Sequence, residues 1–167
     1  MRVSAALAGR PLWTFAVTRY GLPGAKPAAL ALQEAGLDVP LAFWLCWAAS
    51  EGRDPRARLD EAMAVSAQWN RAIVHPLRGA RGILKHPPGF VDAQLALSLR
   101  QHILDAELDA EAALLAALEA MPLPPLEGVV EAPSAALAML ETYREKAGVT
   151  APLTAFTQAI FSEPKKE

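Results

Sequence analysis

Cysteine is almost missing from this 167-residue chain: Cys46 stands alone. An internal disulfide is therefore excluded, and a reducing compartment, the cytoplasm, is the expected setting. Also missing is an apolar run long enough to span a bilayer, which takes roughly 20 residues. The densest one, "GLDVPLAFWLCWAASEG", carries no charge between Asp38 and Glu51 and is too short. Excess charge of one sign is lacking too. Lys and Arg number 16 against 18 Asp and Glu, a net of −2, so nothing draws the whole molecule to nucleic acid or anionic lipid. Strand-like alternation is absent. So are HExxH, a Glu-x-x-His pair, a Gly-rich phosphate loop and a GxSxG elbow. The three histidines have no metal spacing. No metal, no cofactor and no catalytic residue is expected.

What remains is the composition of a folded globular protein, 53% hydrophobic and 20% charged, rich in alanine and leucine. Breakers cut it into helices. Pro11 opens one that runs to Tyr20, and Pro27 starts a second that ends at Gly36. A third covers residues 39–50, where Asp38 is an expected N-cap, Pro40 falls in the first turn and Gly52 closes the end. Its apolar residues point all round the axis, which marks a helix buried on every side. The "MRVSAALAGR" start has an apolar part, residues 3–8, below the ~7–15 residues of a signal peptide.

Two long helices follow, over about 54–85 and 92–120, joined by "HPPGF". In the first, Leu59, Ala62, Ser66, Trp69, Ile73, Leu77, Ala80 and Leu84 share one face. The phase runs through Pro76, which predicts a kink rather than a stop. In the second, Leu95, Leu99, Ile103, Ala106, Ala110, Ala113, Ala117 and Met121 form the expected buried face. Packed antiparallel about the PPG turn, the two make a hairpin. "MPLPPLEGVVEAP" is an extended connector. Helices over 134–147 and from near Pro152 complete the chain. The expected fold is all-α, a single-domain irregular bundle of six or seven helices with a buried central apolar helix. Its divisions are a frayed start at 1–10, a helical core at 11–121, the connector at 122–133, C-terminal helices packing on the core at 134–161 and a tail at 162–167.

The charge pattern carries the most information. Residues 62–91 contain no acid but hold Arg71, His75, Arg78, Arg81, Lys85 and His86. Residues 101–143 contain no Lys or Arg. On the helix, Arg71, His75, Arg78, Arg81 and Lys85 lie within about a third of the circumference. A tight hairpin sets Arg71 near Asp105 and Asp109, but sets Arg78, Arg81 and Lys85 opposite residues 95–98, where there is no acid. Two readings follow: the stripe is solvated or paired internally, with the acidic helix or with Glu34, Asp38 or Glu51, or it is a candidate binding site, since guanidinium groups suit phosphate or carboxylate. Cys46, with no cation nearby, reads as a small buried hydrophobe.

Three segments, "LWTFAVTRYGLPG", "ALQEAGLDVPLAFWLCW" and "NRAIVHPLRGARGILK", resemble a family of small uncharacterised proteobacterial proteins. An LW-x-F-A-x-x-x-Y segment, a GLDV-x-L segment and a PLR-x-x-R segment recur there in this order. The resemblance covers the first half of the chain, and "LDAELDAEAALLAALE" loosely. It implies a helical cytoplasmic protein without an assigned function, and it marks Trp13, Tyr20, Asp38, Trp44, Trp47, Pro76, Leu77, Arg78 and Arg81. Two functions are weighed: a non-catalytic interaction protein with an unknown protein partner, and a binder of, or enzyme acting on, a small anionic molecule at the basic face. A pocket among the cations with an aromatic wall favours the second; a flat apolar patch rimmed by them favours the first.

Overall fold

Proline and glycine end the helices close to where the sequence places them. In a computed structural model that describes residues 9–163, α1 is Pro11–Tyr20, α2 Ala25–Glu34 and α3 Val39–Ser50. Helix α4 is continuous in three sections: α-helical Leu59–Trp69, a π-turn Asn70–Val74, and α-helical His75–Ile83. Helix α5 is Ala93–Glu119, α6 Ala132–Ala147 and α7 Leu153–Ile160. The described residues thus form seven helices and no strand. The expected frayed start and polar tail fall mostly outside the described residues.

Helix α3 is central because it has no polar face to offer water. Ala42, Trp44, Leu45 and Cys46 are fully buried. Helices α6, α5 and α1 pack around it, and Phe43 meets Phe156 of α7 edge-on at 5.4 Å. Burial pushes the Cys46 thiol well above its usual range, which keeps it protonated and unreactive. Trp13, Trp47 and Trp69 are half-buried against the same core.

Two distant contacts hold the frame. Arg10 precedes α1 and supplies no side-chain cap. Glu119, at the end of α5, does so instead. Its carboxylate accepts the Leu12 N–H at 2.7 Å and the Arg10 Nε–H at 3.1 Å, satisfying a first-turn donor. The proline-rich connector is extended, as expected, and is pinned to the turn after α3. Asp54 N–H donates to Pro124 O at 2.9 Å and Leu126 N–H to Gly52 O at 2.8 Å. Gly52 has a φ of 64°, which lets Arg53 N–H reach back to Ala48 O at 2.8 Å.

Helix α4 does continue past Pro76, through a π-turn. A π-turn takes one residue more than an α-turn, so it relaxes the ladder where proline supplies no donor and rotates everything after it. The expected face holds for Leu59, Ala62 and Ser66, which are buried. Inside the π-turn it slips by one residue: Val74 is buried and Ile73 exposed. Beyond the turn Leu77, Ala80 and Leu84 are again half-buried, now joined by Arg78 and Arg81. The α5 face is corrected in part: Ala110 is buried as expected and Ile103, Ala113 and Met121 are half-buried. Leu95 and Leu99 are exposed, and the buried stripe runs through Ala96, Glu107, Ala110, Leu114, Leu115 and Leu118. Among the described residues no helix is long and apolar enough to cross a membrane.

Candidate functional site

The segment between α2 and α3 reverses tightly. Gly36 takes a φ of 94°, a conformation that suits glycine, and Leu37 N–H closes on Leu32 O at 3.0 Å. Asp38 follows with the extended backbone of an N-cap, φ −80° and ψ 118°. Its side chain, contrary to expectation, caps nothing. The carboxylate turns away to α4 and accepts from Ser66 Oγ–H and Asn70 Nδ2–H, both through Oδ2. Its backbone N–H donates to the hydroxyl of Tyr143, from α6, at 2.8 Å. Ser66 and Asn70 stand four residues apart on one helix face, so two neutral side-chain donors take the carboxylate in place of the first-turn N–H groups.

The basic stripe is the largest correction. Arg78 and Arg81 do not face an acid-free surface. Arg81 forms a two-pronged pair with Glu107, Nε to Oε1 at 2.5 Å and Nη2 to Oε2 at 3.2 Å. Arg78 donates to Glu111 Oε1 at 2.6 Å, with its Nε 3.8 Å from Glu107 Oε2. Glu107 is only 4% exposed. The hairpin has a different register from the tight PPG turn. Arg81 sits opposite Glu107 rather than residues 95–98, a slide of about 15 Å at 1.5 Å per residue. Residues 84–92 make a nine-residue connection between α4 and α5, and the rotation from the π-turn brings the guanidiniums inward. Lys85, Arg71 and His75 are exposed and form no ion pair among the described residues. Glu107 and Glu111 belong to the acidic stretch of the second long helix, but a tight-turn register does not bring them to Arg78 and Arg81, and a phase with two carboxylates on its buried side is rejected on hydropathy. Their i,i+4 spacing against two arginines three apart was the available signal.

These groups border one cavity of about 630 Å³. Five helices contribute to its lining, and it opens to solvent. Gln33 of α2, Asp38 at the head of α3, and Ser66 and Asn70 of α4 form one end with Tyr143 of α6; Arg78, His75 and Glu111 form the other. Burial pushes the Tyr143 phenol up to about 12, with the Asp38 charge adding to the rise and the Asp38 N–H opposing it, so it stays a neutral hydroxyl. Of the candidate cations, the structure brings Arg78 and His75 to this cavity, with Arg81 one pair behind through Glu107; Lys85 and Arg71 are not among its lining residues.

Glu111 is held above its ordinary value of 4.5, chiefly by burial; the Glu107 and Asp38 charges add to this and Arg78 opposes it. An acid with a raised folded-state value binds its proton more tightly folded than unfolded. Stability therefore falls as pH rises from about 4.5 through the raised value. Thermal melts of Glu111→Gln and the parent between pH 4 and pH 7 test this. The variant is expected to lose that downward component, so the parent-minus-variant melting temperature declines with pH.

The loop end of the hairpin has another character. Ile83, Phe90, Leu95, Leu97 and Leu99 are all exposed, Phe90 to 89%, beside Lys85 and His86 in the chain.

A family model described as "Protein of unknown function (DUF2390)" matches residues 11–118. That stretch holds all three recurring segments and the acidic part of α5. No curated protein and no solved structure matches the chain.

Proposed function

The chain belongs to the DUF2390 family of proteins of unknown function, and from that premise we propose that it is a binding protein for a small polar molecule, working in the cytoplasm. The observation that carries this is the cavity of about 630 Å³ at Asp38. Its size falls within the roughly 300–1,000 Å³ of ligand pockets. Its polar groups are fixed in advance by Ser66, Asn70 and Tyr143, and Tyr143 supplies the aromatic wall. Fixed groups favour binding because less freedom is lost on association. An anion at Arg78 and Arg81 is no longer the natural occupant, since both already hold glutamates.

Native mass spectrometry of the chain purified from its own cells tests the reading. A retained small molecule is expected in the parent and not in Ala67→Trp, which places an indole on the exposed rim of the cavity. An equally loaded Ala67→Trp, or an empty parent that no metabolite mixture reloads, overturns it.

One observation favours a second reading, the interaction protein. The exposed apolar end around Phe90 adjoins Lys85 and His86, and residues 62–91 contain no acid. Those features fit an acidic, amphipathic helix of another protein. Loss of such a partner in Phe90→Asp, with Ala67→Trp unaffected, would single out this surface.

A further inference from the structure

We propose that the occupant of the cavity carries a protonated amine or guanidinium, bound at the carboxylate of Asp38, with a hydrogen-bond acceptor close to it that receives the Tyr143 hydroxyl proton. The inference rests on the cavity reading and adds the chemical class of the ligand.

Charge comes first. Asp38, Glu107 and Glu111 give three carboxylates around the site, and Arg78 and Arg81 two guanidiniums. Both guanidiniums are spent on Glu107 and Glu111. Asp38 is the carboxylate left over: among the described residues it forms no ion pair. Its carboxylate is held by neutral donors alone, Ser66 and Asn70, while its backbone N–H donates to the Tyr143 hydroxyl. Those donors orient it without neutralising it. A half-buried carboxylate with no counter-charge gains from any cation that reaches it.

The hydrogen-bond inventory points the same way. A carboxylate oxygen can only accept, so the Asn70 amide must turn its nitrogen to Asp38, leaving its carbonyl oxygen for another donor. That oxygen and Asp38 Oδ1 have no donor among the described residues. An ammonium offers up to three N–H groups and a guanidinium five, enough for both. Tyr143 is 97% buried by its 3% exposure. Its oxygen accepts from Asp38 N–H, and its own proton has no acceptor among the described residues. A phenol proton at the Asp38 end of the cavity, with no protein acceptor among the described residues, suits a carbonyl or hydroxyl oxygen of a ligand.

Thermal-shift and titration calorimetry with the full chain decide it. The amine probes are putrescine, agmatine, and the amides of lysine and glycine; the anion probes are inorganic phosphate and citrate. At least one amine is expected to raise the melting temperature by several degrees at millimolar concentration. Asp38→Asn, which keeps the shape and the acceptor for Ser66, should weaken that amine by about tenfold or more. Tyr143→Phe should weaken an amine bearing a carbonyl more than putrescine. Ala67→Trp, which removes none of these hydrogen-bonding groups and replaces an exposed side chain, should abolish binding while melting like the parent. Silence from every amine overturns the proposal, as does amine binding that survives Asp38→Asn. If phosphate or citrate binds instead and Ala67→Trp removes it, the ligand class is wrong and the cavity reading stands. Amine binding undiminished in Ala67→Trp refutes both.

Discussion

Replacing Arg78 and Arg81 together by glutamine should destabilise the protein by roughly 3–5 kcal/mol, the usual cost of breaking a buried pair from one side. An uncompensated stripe leads to the opposite sign, because removing crowded like charges costs nothing or relieves strain. The structure reverses that expectation. Glu107 is 4% exposed and receives both arginines, so their loss leaves a carboxylate buried without a cation. The arginines themselves are 38% and 26% exposed at the side chain. Water screens part of each pair, which puts the result toward the lower end. Thermal and urea melts of the double variant against the parent measure it, and a variant as stable as the parent contradicts the pairing. Adding Glu107→Gln should recover part of the loss, since removing both sides of a buried pair costs less than removing one.

Trp44→Ala should cost about 3–5 kcal/mol, as large aromatic truncations in cores do. Trp44 is 0% exposed and is the largest of the fully buried side chains. Helix α3 is ringed by other helices, so no solvent can fill the hole and the neighbours can only partly close it. Its indole N–H has no protein partner among the described residues, and an unpaired buried donor lowers the stability that tryptophan confers. Trp44→Phe therefore separates the two effects: it keeps most of the apolar volume, removes the donor and should cost well under the alanine value. Urea melts of both variants supply the comparison, and a Trp44→Ala protein of near-parent stability would contradict the central position of α3.

How much of this was legible in the sequence depends on the residue. The helix at 39–50 could be read because every position in it is apolar and no register has to be chosen. Leu59, Ala62 and Ser66 could be read because regular helical phase holds up to Trp69. Ile73 and the partners of the basic stripe could not. A five-residue π-turn turns the phase, and Pro76 does not announce it, since a plain kink would leave the same residues in the chain. The cavity residues were invisible for a related reason. Asp38, Ser66, Asn70 and Tyr143 lie up to 105 positions apart and each has an ordinary local explanation, as cap, core serine, helix polar and core aromatic.

The sequence by itself determined the class of the molecule. Spacing of breakers, apolar periodicity and the length of the apolar run are local quantities, and they set helix number, helix ends and the burial of α3 without any knowledge of neighbours. Tertiary structure alone decided which charges meet. Ion pairing depends on the relative slide and rotation of two helices. A slide of about 15 Å and one extra residue in the π-turn turned an apparent anion site into two closed Arg–Glu pairs, and left Asp38, read locally as a helix cap, as the carboxylate without a cation.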